Sequence, residues 1–228
     1  MMLRKNLGSV LVYAIYNTPT QAGPVHADTG DRSHYEAITG DSADEDKTVW
    51  DSYYRDKGKA TNQDPVGFLK EQIQNIPIGR AFVPAMGEGR NAIFLAQKGF
   101  TVDGNDISDV AVDKVLSQAK MLHLNLKASV ADVNQAQLPD GYYDLIVVSF
   151  YYSKNLVAKL TKSLKKGGYI LFYNRVAETG AHKKMTSPDD FLVVPQELKA
   201  QLKDLHMEVF KEYVDQGLKV VGALAKKL

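Results

Sequence analysis

The stretch Gly79–Ser108 (GRAFVPAMGEGRNAIFLAQKGFTVDGNDIS) limits the possible folds more than any other part of the chain. Its spacing predicts a short apolar strand over Ala81–Pro84 and a tight turn at Gly87-Glu88-Gly89. A helix follows, with apolar Ala92, Ile93, Leu95 and Ala96, and then a second strand closed by Asp106. Strand, glycine turn, helix and strand in that order form a βαβ unit, which requires a parallel sheet covered by helices. The acid stands about twenty residues beyond the turn, where such sheets set a carboxylate against ribose hydroxyls. The first expectation is therefore a nucleoside-containing ligand.

The rest of the chain continues the alternation. Val66–Ile76 has helical spacing, with Phe68, Leu69 and Ile73 on one side, and Val110–Leu122 is an amphipathic helix. Leu126–Val130 reads as a third strand. Tyr143–Phe150 is a continuous apolar run, as expected of a central parallel strand buried on both faces. A helix over Leu156–Leu164 ends in the basic last turn and glycine stop Lys165-Lys166-Gly167-Gly168, and Tyr169–Tyr173 is a fifth strand. Residues Arg175–Pro195 read as a long loop and Gln196–Leu205 as a helix. Met207–Tyr213 and Leu218–Lys226 flank the hairpin turn Asp215-Gln216-Gly217, which places one antiparallel strand at an edge of the sheet. The expected fold class is α/β: a Rossmann-like, seven-stranded, mostly parallel sheet with a C-terminal antiparallel hairpin and helices on both faces.

Composition excludes several kinds of chemistry. The 228 residues contain no cysteine, which rules out disulfides, thiolate metal sites and a cysteine nucleophile. The five histidines (His26, His34, His123, His182, His206) are scattered, with no metal-ligand spacing, so no metal site is expected. A formal net charge of +1 gives no electrostatic reason for a nucleic-acid partner. Gln21–Lys47 is polar and acidic without a sustained period and reads as a linker or loosely held arm. The expected organisation is an N-terminal extension over residues 1–46 and a catalytic domain over 47–228. Within the extension, Arg4 and Lys5 precede the apolar Leu7–Tyr16, and Val25-His26-Ala27 resembles a cleavage site. Export is the alternative to the cytoplasmic location expected here. The apolar stretch is too short to span a bilayer, and no membrane partner is expected.

Gly87-x-Gly89-x-x-Ala92 with Asp106 satisfies the dinucleotide pattern, yet two features oppose NAD. Glu88 would lie beside a pyrophosphate at a helix N-terminus, where the ligand's negative charge favours neutral or positive neighbours. A dehydrogenase also needs a second nucleotide-binding half, and the chain ends after one sheet. S-adenosylmethionine has no phosphate and needs only the first half.

From Trp50 onward the chain resembles the class I S-adenosylmethionine-dependent methyltransferases, and within them the tellurite-resistance and thiopurine/halide/thiol branches. Met86-Gly87-Glu88-Gly89-Arg90-Asn91 is similar to the first motif of the tellurite-resistance type. Gly79–Pro84, with Val83-Pro84, is similar to the thiopurine and halide type. Val102–Ser108 resembles the second motif, Ala131-Asp132-Val133 the segment after strand three, Tyr143–Ser149 the fourth motif and Leu164–Tyr173 the fifth. Ser187–Leu198 is similar to the stretch preceding the last helix in the tellurite-resistance group. The chain departs from these patterns in three places: Ala85 replaces the usual first glycine, Met86 a frequent cysteine, and Val83 an acid that orients the methionine end. Arg90 or a residue of Trp50–Arg55 is the candidate substitute for that acid.

The resemblance implies S-adenosyl-L-methionine as cofactor. It implies that Asp106 holds the ribose and Asp132 lies at the adenine amino group. The cofactor site is expected to comprise Trp50, Tyr54, Ala85, Met86, Gly87, Glu88, Gly89, Arg90, Asp106, Ile107, Asp132, Val133 and Ser149. Tyr151, Tyr152 and Asn174 are expected to bind the acceptor, with Arg175 and His182 nearby. Plainer roles compete with each assignment: Asp106 as the cap of the next helix, Asp132 as a turn acid, Trp50, Tyr53 and Tyr54 as packing, and Tyr151 and Tyr152 as partial core. Methyl transfer from a sulfonium is an in-line displacement governed by alignment in a dry site. A soft, already ionised acceptor needs no base, and no catalytic residue is assigned. Ser149-Phe150-Tyr151-Tyr152 stands where an amine-holding motif would follow strand four. The expected acceptor is thus a small soft nucleophile such as a thiol, halide or chalcogen oxyanion, handled by a monomer or homodimer. The alternatives are a non-catalytic binder of the same cofactor, suggested by Val83 and Ala85, and a small NAD(P)-linked oxidoreductase.

Overall fold

Burial explains the central strand. In Tyr143–Ser149 (β4), the side chains of Leu145, Ile146, Val147 and Val148 are all fully buried. Each contributes roughly 1.5–3 kcal/mol relative to exposure, and a run without alternation can be buried only where both sheet faces are covered. The computed structural model describes residues 43–56, 64–177 and 191–228, all within the unit Ser33–Leu228; a second unit, Met1–Arg32, lies outside them. The leader-like segment and most of the expected linker fall outside the described residues.

The elements in chain order are α1 (Ala43–Asp56), α2 (Gly67–Gln72) with a 3-10 turn at Ile73–Asn75, β1 (Arg80–Val83), α3 (Arg90–Gln97), β2 (Thr101–Asp106) and α4 (Asp109–Met121). They continue with β3 (Leu126–Val130), β4, α5 (Lys154–Ser163), β5 (Leu164–Val176), β6 (Leu192–Val193), α6 (Pro195–Gln201), β7 (His206–Asp215) and β8 (Leu218–Lys226). The sheet order is β3-β2-β1-β4-β5-β8-β7, with β6 added beside β5. Pairing is parallel throughout except along β8, which runs antiparallel to both neighbours. One face buries a core with α2, α3 and α4, built around Phe68, Leu69, Leu95 and Val115. The other buries Leu160, Leu164, Leu198 and Leu202 with α5 and α6.

Four expectations need correction. Helix α1 begins at Ala43, so helical structure starts before the expected end of the linker at Lys47. The antiparallel strand is not at the edge. The apolar Val220–Ala225 of β8 is buried and pairs on both sides, which leaves the half-polar β7 outermost. Lys165–Gly168 does not close a helix. Leu164 already pairs with Tyr143 and Tyr169 with Leu145, so the four residues bulge out of β5, and the backbones of Gly167 and Gly168 bond that of Lys227 at 2.6 and 2.9 Å. The loop expected from Arg175 is shorter. Arg175 and Val176 extend β5 and pair with Leu192 and Val193, giving the sheet eight strands. Among the described residues, no helix is long and apolar enough to cross a membrane.

Candidate active site

Parallel strands carry their connections to α3 and α4 off one end, and a crevice opens at that end of the sheet. Here it is a cavity of about 860 Å³ above β1, β2, β3, β4 and β5, with α1 forming another wall. The turn after β1 supplies its floor. Gly87 has φ 56° and Gly89 φ 81°. A Cβ on Gly87 would lie 2.8 Å from the Tyr54 hydroxyl, and one on Gly89 would lie 2.6 Å from a Val115 methyl. Both conformation and space therefore require glycine. Ala85 enters the same turn with φ 44° despite its Cβ, and Phe150, just past β4, has φ 53°. Two residues in the left-handed region against one cavity hold roughly 1–3 kcal/mol of strain each.

Asp106 ends β2 beneath this turn and is only 5% exposed. One carboxylate oxygen accepts the Gly87 N–H at 2.7 Å and the other the Ser108 N–H at 3.0 Å. Burial raises its pKa above the ordinary carboxyl value, against the lowering effect of the backbone N–H groups of Ser108, Gly87 and Ile107. Such a carboxylate gains from any further O–H donor brought to it. The cap of α4 is Ser108, whose hydroxyl accepts the Ala111 N–H, so the capping role falls beside Asp106 and not on it.

Helix α1 is tied down across the crevice by charge. The Lys114 ammonium donates to Glu88 at 2.7 Å and to the Tyr54 carbonyl at 2.6 Å, and the Ser108 hydroxyl donates to Asp51 at 2.6 Å. Glu88 is thereby neutralised at the cavity wall. Trp50 stacks on Tyr54 at 5.7 Å and on Phe191 at 6.0 Å, and Tyr151 meets Phe191 at 4.8 Å, giving an aromatic rim. The Tyr54 phenol is held well above its usual pKa by burial and by the charge of Asp106.

After β3, one Asp132 oxygen accepts the backbone N–H of Asn134 at 2.8 Å, so Asp132 does make the plain turn bond while also lining the cavity. Asn134 donates in turn to the Tyr151 hydroxyl at 2.6 Å, and burial pushes that phenol up to about 12. At the end of β4 the Ser149 hydroxyl accepts from Asn91 at 2.8 Å. The Arg90 guanidinium lies 4.8 Å from the centre of the Phe150 ring, and burial lowers its pKa.

The cavity wall includes Trp50, Tyr54, Ala85, Met86, Gly87, Glu88, Gly89, Arg90, Asp106, Ile107, Asp132, Val133, Ser149, Tyr151, Tyr152 and Arg175. Asn174 is not among them. It alternates to the opposite face of β5 from Tyr173, is fully buried and donates to the Tyr151 carbonyl at 3.3 Å. Its expected acceptor role is therefore corrected to support of the Tyr151 backbone. His182 lies outside the described residues. Val83, in the position of the relatives' acid, is core at 1% exposure. The sequence reading did not anticipate Asn91, Tyr173, Phe191 or Asp215 as lining residues. In the sequence, the apolar end of β5 hides Tyr173, and Asp215 shows only as turn chemistry. Among the described residues, no group of three or more His, Asp or Glu is placed to hold a metal.

Comparison with known proteins places the chain in a family. In sequence, the chain is 27% identical over 194 residues to Hemagglutinin 1 of Eikenella corrodens, covering 78% of this chain and 63% of that protein's length. In structure, it is similar to TehB from Haemophilus influenzae (TM-score 0.63, 20% identity, 78% of this chain and 67% of the other). It is also similar to a SAM-dependent methyltransferase from Aquifex aeolicus (0.58, 15%, 78% and 98%). A third is the geranyl diphosphate C-methyltransferase of Streptomyces coelicolor, solved with Mg2+, geranyl-S-thiolodiphosphate and S-adenosyl-L-homocysteine (0.59, 11%, 70% and 74%). At these identities the structures show a shared fold alone. Residues 48–221 match the family described as tellurite resistance protein TehB, and the chain belongs to that family.

Proposed function

We propose that this chain is an S-adenosylmethionine-dependent methyltransferase acting on a small-molecule acceptor with a soft nucleophilic atom, such as a thiol, halide or chalcogen oxyanion. The observation that carries the reading is the pairing of Asp106 with the Gly87–Gly89 turn inside one large cavity. The residues suit the donor. Asp106 is a buried carboxylate that accepts one backbone N–H on each oxygen and keeps acceptor capacity for the O–H donors of a ribose diol. Glu88 is already neutralised by Lys114, and Trp50 and Tyr54 offer flat apolar surface.

In the bound state the donor supplies an electrophilic methyl on a sulfonium. The protein's share is alignment and exclusion of water. Asp106 and Asp132 fix the nucleoside, and Arg90, at the first turn of α3, is the cation available to a methionine carboxylate. The rim of Trp50, Tyr151 and Phe191 closes the mouth. Alignment of this kind accounts for several kcal/mol of barrier lowering. The domain that does this is the one beginning at α1.

Calorimetric titration of the purified chain with S-adenosylmethionine, S-adenosylhomocysteine and NAD tests the reading. Binding of the first two in the micromolar range, and not of NAD, is expected. Absence of binding at millimolar ligand overturns it. Transfer of labelled methyl to a panel of thiols, halides and chalcogen oxyanions then tests the acceptor class.

A further inference from the structure

The end of the cavity remote from Asp106 is built by the β7–β8 hairpin. Because β7 runs parallel to β5, its last residue, Asp215, arrives at the same end of the sheet as Ser149 and Tyr173, which pair across β4 and β5. The two-residue turn Gln216-Gly217, with φ 49° and 81°, fixes that position. The Tyr173 hydroxyl donates to one Asp215 oxygen at 2.5 Å, and Asp215 lines the cavity. Phe150, edge-on to Tyr173 at 5.3 Å, and Leu218 and Val220 supply apolar wall.

We infer that Asp215, held in place by the Tyr173 hydroxyl, is the proton-accepting group of the acceptor half of the cavity, so that the acceptor enters protonated and uncharged. This rests on the methyltransferase reading above and narrows it. Three observations converge. First, Tyr173 anchors one carboxylate oxygen and leaves the other able to accept a proton. Second, with Glu88 paired to Lys114 and Asp64 to Lys70, the lining carboxylates of Asp106, Asp132 and Asp215 outnumber the cations Arg90 and Arg175, which works against entry of halides and oxyanions. Third, among the described residues the titratable groups facing Asp215 include no histidine. They are Tyr173 on β5 and Tyr213 on β7, with Arg90 of α3 acting on Tyr173 and Glu71 of α2 on Tyr213.

Among protic nucleophiles, a thiol's acidity lies nearest to a carboxylate's, which makes an uncharged thiol on an apolar frame the fitting acceptor. The thiol sulfur forms its bond to the methyl carbon while that carbon's bond to the donor sulfur breaks, the electron pair staying on the departing sulfur. The acceptor's S–H proton passes to Asp215 and then to water. Tyr173 is a positioning residue in this scheme.

The test uses the full chain, its Asp215→Asn, Asp215→Glu and Tyr173→Phe variants, phenylmethanethiol, which is protonated at neutral pH, and iodide as an acceptor with no proton. In Asp215→Asn the ratio of thiol to iodide turnover is expected to fall at least tenfold at neutral pH, and the thiol rate to climb with the thiolate fraction. Asp215→Glu restores part of the ratio, and Tyr173→Phe lowers it severalfold. A second readout needs no turnover. With S-adenosylhomocysteine present, the ultraviolet band of bound phenylmethanethiolate appears at higher pH in the parent than in Asp215→Asn, because the carboxylate disfavours a neighbouring anion. A ratio within twofold of the parent in both Asp215→Asn and Tyr173→Phe, or an unshifted band, overturns the inference. Calorimetry with S-adenosylhomocysteine on each protein separates that outcome from failure of the methyltransferase reading, in which the parent binds no nucleoside at all.

Discussion

Replacing Asp106 by Asn tests the site at its most constrained atoms. The carboxylate accepts N–H bonds from Gly87 and Ser108 at 2.7 and 3.0 Å and is 5% exposed. A ribose diol would add two O–H donors. Hydrogen bonds to a charged group are worth about 1.5–3 kcal/mol each. An amide keeps one acceptor oxygen but sets an NH2 group against a donor, so about 2–4 kcal/mol of donor binding is lost, roughly 30- to 1,000-fold. Stability falls as well, because the NH2 group also faces one of the two backbone N–H donors. Burial raises the native pKa of Asp106 above the unfolded value. Its contribution to stability is therefore fully present below the unfolded pKa and lost as pH rises through the native one. Asn removes that loss, and the variant's stability curve is flatter over that acid range. Donor binding has the opposite sign: O–H donors favour the ionised carboxylate, so affinity in the parent rises with pH through the raised value and protons are released on binding. Isothermal titration of S-adenosylhomocysteine in buffers of different ionisation enthalpy measures both quantities, and urea unfolding measures the stability. A folded Asp106→Asn chain that binds within threefold of the parent would refute the reasoning.

Other substitutions probe the scaffold around that carboxylate. Ala85→Gly relieves a left-handed Ala at φ 44° and should stabilise the fold by about 1 kcal/mol, seen as a higher urea midpoint with unchanged slope; a lower midpoint counts against the strain assignment. Gly89→Ala combines φ 81° with a Cβ 2.6 Å from a Val115 methyl and should destabilise by about 2–4 kcal/mol; thermal unfolding matching the parent would contradict it. Lys114→Met deletes the bonds to Glu88 and to the Tyr54 carbonyl, freeing α1 and leaving Glu88 unpaired. Donor affinity should fall about tenfold, while fluorescence of the lone Trp50 reports the loosened helix; equal affinity would show that α1 does not cover the donor.

What was legible in the sequence followed from periodicity and from backbone necessity. Leu145 to Val148 could only be a strand covered on both faces, and Gly87 and Gly89 marked a turn that no side chain fits, so the strand and turn at the floor of the cavity were readable from one segment. Position across the sheet was not readable. Sequence adjacency makes β7 and β8 a hairpin, but which of the two faces β5 depends on which can be buried on both sides, and the evidence for that is the unbroken Val220–Ala225 set against the alternation of β7. The same limit applied to Asn174 and Tyr173. They are neighbours in sequence and alternate across a sheet, so one slip of register exchanges lining for core. The sequence reading chose Asn174, and the fold turns Tyr173 to the cavity.

The strain at Ala85 and Phe150 joins the two halves of the cavity. Ala85 precedes the turn over Asp106, whereas Phe150 lies under the Arg90 guanidinium and beside Tyr173, whose hydroxyl holds Asp215. A left-handed residue persists only where its surroundings over-determine it. For Phe150 those surroundings are the cation above its ring, the Tyr173 ring at its edge and the bond from its own N–H to the Tyr173 carbonyl at 3.1 Å. Arg90, proposed to hold the donor's methionine end, and Tyr173, proposed to orient the acceptor's base, therefore both rest on one strained residue. Phe150→Ala should loosen both contacts together, weakening S-adenosylhomocysteine binding and the thiol-over-iodide preference in the same variant. Loss of only one of the two would show that the halves are built independently.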